Sequence, residues 1–398
     1  MIYLDHNATT PPLPEAVAAL TRVASTAWGN ASSLHGPGRA ARVEIENARE
    51  ELAALTGAQP QEIIFTAGGT EACNFALLGA ARHAARALPA RHIVVSAMEH
   101  PAVKAAARLL EEEGWEVTWV NPDADGIVTP SAVEAALRPQ TVLCAVMHAN
   151  NEVGTVQRIE EIGTLLRGRG VLFFCDMIQS LGKLDIDLSR LPVDCAAFAA
   201  HKIGGPKGAG AVYARRGLRL EPLVRGGGQE RGLRGGTENV PGIAGFGAAA
   251  AWWRREGVAE RARVARLRDA LEGALVDALG DAPPPSFRAA PGAGGDVLPV
   301  RVTAAGVPRL PGTLHVVFDG VRGDTLVMAL DLRGIAVSAG SACASGSVKP
   351  SEVLLAMGRT PEEAVSALRF SLGFGNTAEE IPVVAEAVAR AYTAARTA

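Results

Sequence analysis

Asp194-Cys-Ala-Ala-Phe-Ala-Ala-His-Lys-Ile-Gly-Gly-Pro-Lys-Gly208 is the stretch on which the reading of this chain turns. Its first half is an apolar run of strand length and its second half a glycine-rich turn. Between them stands Ala200-His201-Lys202. A lysine at the end of a buried strand loses hydration, so its amine pKa falls and it becomes a nucleophile toward carbonyl carbon. Taken alone, the segment also suits an ordinary solvated turn.

Working outward, residues 60 to 215 alternate short apolar runs with helix-like stretches, the pattern of βαβ units and a largely parallel sheet. Strands are expected at Glu62–Thr66, His92–Ser96, Glu116–Val120, Val142–Met147, Val171–Cys175, Asp194–Ala199 and Ala209–Tyr213. Helices are expected at Glu71–Arg86, Pro101–Glu113, Ser131–Leu137, Ile159–Arg167 and from Pro241 to about Leu279. Residues 281–312 are rich in Pro, Gly and Ala and read as an irregular connection. Leu314–Phe318, Asp324–Arg333, Ile335–Ser338 and Ala367–Ser371 then form a second α/β unit, with helices near Ser351–Met357, Pro361–Ala364 and Ala378–Ala394.

Composition excludes several function classes. The 398 residues are 48% hydrophobic and 20% charged, with a net charge of −3 and no block of like charge, so neither a nucleic-acid nor a membrane surface is expected. No apolar run approaches the roughly 20 residues a bilayer requires, and Met1-Ile-Tyr-Leu-Asp-His6 carries no secretory signal pattern. The five cysteines are odd in number and lack CxxC spacing, which argues against a disulfide framework or a zinc site and for a reducing cytoplasm. Cys73, Cys144, Cys175 and Cys195 lie in apolar runs. Cys343, in Gly340-Ser-Ala-Cys-Ala-Ser-Gly346, lies among small residues typical of an exposed loop.

In open parallel sheets ligands bind beyond the carboxyl ends of the strands. Five of the expected strands run into polar residues at the same edge: Thr66-Ala-Gly-Gly-Thr70-Glu71, Glu99-His100, His148-Ala-Asn-Asn151-Glu152, Asp176 with Gln179, and His201-Lys202. Each part has two readings. Gly68-Gly69-Thr70 fits a tight turn with a helix cap, or an anion cradle built of helix-start amides. Asp176 fits a loop cap, or a carboxylate holding a pyridinium N–H. His100 fits a structural role, or proton transfer near neutral pH. The segment Gly226 to Thr237 fits a flexible loop or a phosphate contact, and Arg369 a packed surface stem or a fork for a substrate carboxylate. A phosphate cradle, a strand-end Asp and a strand-end Lys together describe the three partners of pyridoxal 5'-phosphate (PLP).

The chain resembles the cysteine desulfurases of the nitrogen-fixation and housekeeping type, within the class V aminotransferase family. The resemblance runs from Tyr3-Leu-Asp-His-Asn-Ala-Thr-Thr-Pro11 and Gly29-Asn-Ala-Ser-Ser-Leu-His35 through Asn150-Asn-Glu-Val-Gly154, Gln179-Ser-Leu-Gly-Lys183 and His201-Lys202. It closes on Gly236-Thr237, Ser341-Ala-Cys-Ala-Ser-Gly346 and Arg369-Phe-Ser-Leu-Gly373. The cysteine loop is its specific part. It implies a fold type I PLP-dependent α/β transferase and a homodimer. The large PLP-binding domain, with a mostly parallel seven-stranded sheet, would span 12–255. A smaller α/β domain would span 256–398, carrying the cysteine loop, with residues 1–11 packed near it.

The resemblance further implies that Lys202 carries the cofactor, Asp176 faces its ring nitrogen, Gln179 its ring hydroxyl, and His100 stacks on the ring. Gly69, Thr70, His201 and the partner subunit's Thr237 would hold the phosphate. Asn151 and Arg369 would hold the substrate carboxylate, and no metal is implied. In the reaction so implied, L-cysteine becomes L-alanine: Lys202 or His100 takes the Cα proton, and Cys343 attacks the substrate sulfur to become a persulfide. The sulfur would pass to an iron–sulfur scaffold or a thiolation relay. A selenocysteine or cystine lyase, a class V aminotransferase, or a catalytically weakened accessory subunit are the alternatives.

Three positions depart from the family pattern: Ala67 and Ala199 replace serines, and Met177-Ile178 replaces a pair close to Ala-Thr. Each missing hydroxyl would remove a hydrogen bond to an anion, about 1.5–3 kcal/mol. A more weakly held cofactor is therefore expected.

Overall fold

The computed structural model describes residues 1–86, 91–279, 300–339 and 349–397. After β1 (Ile2–Tyr3), the alternating region folds into seven strands: β2 (Ile63–Thr66), β3 (His92–Ser96), β4 (Glu116–Val120), β5 (Thr141–Ala145), β6 (Leu172–Asp176), β7 (Cys195–Ala199) and β8 (Gly210–Ala214). They form one sheet in the order β2-β8-β7-β6-β5-β3-β4. All neighbours are parallel except at β8, which runs antiparallel to both β2 and β7. This is the mostly parallel seven-stranded sheet expected from the sequence.

The period-two alternation of a strand sends successive side chains to opposite faces, and both faces here are covered. Phe173, Cys175, Ala196 and Phe198 pack toward helices Pro14–Thr26, Gly36–Thr56 and the start of Val240–Leu279. Phe174, Ala197, Ile93 and Leu143 pack toward Gly69–Ala85 and Pro101–Glu112 on the other side. Each fully buried phenylalanine of β6 contributes roughly 1.5–3 kcal/mol by leaving water. With both faces covered, the carboxyl edge of the sheet is the place where such a fold receives a ligand.

The second unit holds β9 (Val300–Val302), β10 (Thr313–Phe318), β11 (Ile335–Ala336) and β12 (Ala367–Ser371). β10 is central and antiparallel to both β9 and β12, while β1 pairs in parallel with β11. β9 corrects the expectation for 281–312, a segment whose composition marks it as irregular. Residues 281–299 lie outside the described residues; in the described part Val300-Arg-Val302 carries the strand, too short to show alternation, and it is extended because Val316, Val317 and Phe318 offer a partner. The expected strand Ile335–Ser338 is confined to its first two residues, with a single bridge from Ser338 to Arg369.

A 40-residue helix, Val240–Leu279, joins the two units. Its first part, including Phe246 and Trp253, belongs to the core beneath the large sheet. Val264, Leu267, Leu271 and Leu275 belong to the core of the second unit, together with Leu4. The N-terminal segment crosses between them: Leu4 packs on the second unit, and Leu13 N–H bonds Gly204 O beside Lys202. No helix among the described residues is long and apolar enough to cross a membrane.

Candidate active site

β7 ends at Ala199, and one short 3-10 turn, Ala200–Lys202, carries the chain off the sheet. Gly204 then reverses it at φ +78°, a conformation open to glycine at little cost. The turn leaves Lys202 Nζ donating to two backbone carbonyls, Asn7 O at 2.5 Å and Ala8 O at 2.7 Å. No carboxylate among the described residues bonds it. Burial, followed by the charge of Arg369, lowers the Lys202 amine to about 8, against the pull of Asp176 and Asp5.

Asp176 ends β6 and is 3% exposed. Its Oδ1 accepts the Ile178 N–H at 2.9 Å, and among the described residues its Oδ2 meets only the Cys73 thiol at 3.5 Å. Burial raises its pKa, opposed first by His100 and also by Lys202. A buried carboxylate with one weakly satisfied oxygen is short of a strong donor. His100 caps the helix Pro101–Glu112, and its Nδ1 accepts the Ala102 N–H at 3.1 Å. That bond keeps the proton off Nδ1 and leaves Nε2 as the nitrogen that carries it, with the ring's pKa lowered by burial.

Gln179, His201 and Arg369 surround this pair. Gln179 donates Nε2–H to Asn7 O at 2.8 Å, and its Oε1 accepts from Lys183 Nζ at 2.8 Å. His201 Nδ1 lies 3.1 Å from Thr9 Oγ1, and burial lowers its pKa to about 4, so the ring is neutral at pH 7. Arg369, on β12, donates to Asn151 O at 2.9 Å and to Asp5 Oδ1 at 2.6 Å. Its Nε–H is buried without a partner among the described residues. The fork expected to grip a substrate carboxylate therefore grips one now, from Asp5.

Gly69 and Thr70 open the helix Gly69–Ala85, where the first amides have no partner inside the helix, and Thr70 is exposed. A Cβ added at Gly69 would stand 2.6 Å from Ile178 Cδ1 and 3.2 Å from the Ala199 Cβ. Two of the three family departures thus form an apolar wall directly under the helix start. The Ala67 N–H is already taken by Glu71 Oε2 at 2.9 Å, and Glu71 is paired with Arg234 at 2.8 Å. Thr237 is not in the Lys202 group: it lines a separate cleft of about 90 Å³ with Thr66, Ala67 and Arg234. Cys343 lies outside the described residues.

The hub of the site, Asn7, is a residue that sequence reasoning missed. Its carbonyl accepts from Lys202 and Gln179, and its Oδ1 accepts from Lys183 at 3.2 Å. Its Nδ2 donates to Asn151 O and Thr313 Oγ1, and its own N–H to Ser371 Oγ. Lys183 was missed as well. Its amine is drawn out of water, and burial followed by the charges of Lys202 and Arg369 lowers it to about 7. Both residues stand within motifs that carry the family resemblance, which was the available signal. Lys183, Lys202 and Asn7 share a cavity of about 30 Å³ with His6, Thr10 and Trp253.

These residues fit PLP. A nucleophilic amine, a buried carboxylate open to a ring N–H, and a helix start are the partners of its aldehyde, ring nitrogen and phosphate.

Comparison with known proteins gives the family. The family model described as aminotransferase class-V matches residues 2–283 and 298–384, so the chain belongs to the class V aminotransferase family. It is 45% identical over 383 residues to the cysteine desulfurase IscS of Anaeromyxobacter dehalogenans (strain 2CP-C), covering 96% of this chain and 89% of that protein. It is 43% identical to the cysteine desulfurase IscS of Pseudomonas putida (strain GB-1), covering 99% and 93%. Among solved structures, a NifS-like protein superposes with a TM-score of 0.87 at 33% identity over 98% of this chain and 99% of that one. A structure titled SspA in complex with cysteine reaches 0.78 at 32% identity, covering 94% and 99%. The chain has the fold, the PLP cofactor and the activity class of a cysteine desulfurase.

Proposed function

We propose that the enzyme converts L-cysteine to L-alanine and retains the sulfur on Cys343 as a persulfide. The observation that carries the reading is that Lys202 and Asp176, both withdrawn from water and each within the other's field, are not bonded to one another. When bound, PLP supplies an aldehyde for the lysine and a ring that withdraws electrons from the substrate Cα. Lys202, already lowered toward neutrality, would hold the aldehyde and move the Cα proton, with His100 Nε2 as the second candidate for the transfer. Asp176 would accept the ring N–H and hold its proton in place. Arg369 exchanges the Asp5 carboxylate for that of the substrate, joined by the side chain of Asn151, which bonds nothing among the described residues.

Gly69, Thr70 and His201 are assigned to the phosphate, with His201 acting as a neutral donor. Thr237 reaches it from a second copy of the chain in a homodimer, consistent with its position away from Lys202 in its own subunit. Cys343 Sγ, as thiolate, forms a bond to the substrate Sγ as the substrate's Sγ–Cβ bond breaks; the electron pair of that bond remains with carbon, which is then protonated. The domains divide as 12–255 and 256–398. The enzyme acts in the cytoplasm and passes its sulfur to a protein acceptor, an iron–sulfur scaffold or a thiolation relay.

The test is incubation with L-cysteine, product analysis and mass spectrometry of the Cys343 peptide. Alanine and one added sulfur on Cys343, both lost in Cys343→Ser while the cofactor's absorption is kept, are expected. Pyruvate with ammonia would assign a lyase instead, and undiminished sulfide release from Cys343→Ser would overturn the nucleophile.

A further inference from the structure

Lys183 is a second desolvated amine in the site, and neither of its bonded partners is charged: Gln179 Oε1 at 2.8 Å and Asn7 Oδ1 at 3.2 Å. The Asn7 carbonyl can only accept, so Gln179 must turn its Nε2 toward it and its amide oxygen toward Lys183. Asn7 is fixed the same way, because its Nδ2 is spent on the Asn151 carbonyl and Thr313 Oγ1. The network leaves Gln179 able to present only N–H toward a ligand, and an amide whose oxygen accepts from a cation is a stronger donor at nitrogen.

We propose that Lys183 is a positioning residue that acts through Gln179: it makes Gln179 an obligate, polarised donor to the cofactor's ring oxygen, and so lowers the pH at which the Lys202–cofactor link loses its proton. This rests on the assignment of Lys202 and Gln179 to PLP. A donor held against the ring oxygen makes that oxygen a weaker base, so it holds the shared proton of the link less tightly. The groups around Lys183 oppose a further positive charge: Lys202 and Arg369 act on it, and His6 and His201 feel its field. From the long helix, Glu260 and Arg261 line the same cavity; Arg261 is paired with Asp185, and Asp5 is spent on Arg369.

The experiment is a pH titration of the cofactor's visible band in reconstituted native protein, Lys183→Met, Lys183→Arg and Gln179→Leu, with the Gln179→Leu/Lys183→Met double variant. The midpoint is expected to rise by about one pH unit or more in Lys183→Met, the scale on which a nearby charge moves a titration. It should return toward the native value in Lys183→Arg, and removing Lys183 should matter less than half as much when Gln179 is already leucine. Should Lys183→Met fail to fold, Lys183→Gln, which is also neutral, carries the same expectation. A neutral variant that takes up PLP and titrates like the native protein overturns the proposal, as does a full-sized shift in the Gln179→Leu background. Native protein that forms no visible band with PLP would overturn the cofactor assignment and this proposal together, which separates the two failures.

Discussion

The two walls of the site solve the same electrostatic problem with opposite charges. The wall made by the ends of β3 and β6 carries Glu99 and Asp176, carboxyls that burial pushes upward, Glu99 to about 8. The wall made by the N-terminal segment and the turns after β6 and β7 carries Lys183 and Lys202, amines that burial pushes down to about 7 and about 8. The obvious neutralisation, a lysine–carboxylate pair, is absent between them. The amines lean on uncharged oxygens of Asn7, Ala8 and Gln179, and the carboxyls on the backbone N–H groups of Ile178 and Met147. Groups held part-way to neutrality are pre-organised for a ligand that brings its own charges: a ring N–H for one wall, a phenolic oxygen and an aldehyde for the other.

The largest break in this comparison is Lys202→Ala. It removes the amine proposed to react and leaves Lys183 in place, so turnover of L-cysteine should fall by roughly 10²–10⁴-fold or more, the scale of a lost proton-transfer group. A steady-state assay of alanine formation checks it. Arg369→Lys keeps the charge but loses the fork that reaches both Asn151 O and Asp5. KM for L-cysteine should rise on the order of 10- to 100-fold, as for a charged hydrogen bond lost in a buried site. A rise in KM of less than about threefold, under 1 kcal/mol, would remove Arg369 from the substrate.

Ala199→Ser sharpens the comparison at the phosphate end. If the hydroxyl reaches the anion, PLP should dissociate about tenfold more slowly or bind about tenfold more tightly, measured by fluorescence titration of the apoprotein. An unchanged affinity would mean that the apolar wall of Ile178 and Ala199 only packs Gly69.

Glu99→Gln is expected to act on stability and to leave turnover the least changed. Glu99 is 1% exposed, its Oε1 accepts the Met147 N–H at 2.6 Å, and its Oε2 has no partner among the described residues. A folded pKa raised from 4.5 to about 8 means the folded state holds a proton that the unfolded state releases. The native protein should therefore lose stability from about pH 4.5 up to about pH 8, by a few kcal/mol at most, and the loss should level off above that. The glutamine variant should lack this slope in melts of the apoprotein. Parallel curves for the two proteins would contradict the protonated carboxyl.

The carboxylate wall is plain in the sequence and the amine wall only half visible. Asp176 and Glu99-His100 come at the ends of apolar runs of strand length, and the topology of a parallel sheet places such residues at one edge. Lys202 is legible for the same reason. Asn7 is not: its partners Gln179, Lys202, Thr313 and Ser371 lie 172 to 364 positions away, and no local periodicity marks a contact across that distance. Lys183 reads locally as a charged turn residue four positions after Gln179, and its burial comes from the N-terminal segment folding over it. The helices Pro14–Thr26 and Gly36–Thr56 are hidden for a related reason, since they pack on the long helix Val240–Leu279 rather than on sequence neighbours. β9 is extended only because β10 pairs with it.

Two partly neutral lysines share Asn7, and the cofactor is assigned to one of them. The direct test is borohydride reduction of the PLP-loaded native protein, followed by peptide mapping. The expected result is the cofactor's mass on Lys202 and none on Lys183, because Lys202 faces Asp176 while Lys183 is held between two side-chain amides. Label on Lys183, or none on Lys202, would contradict it.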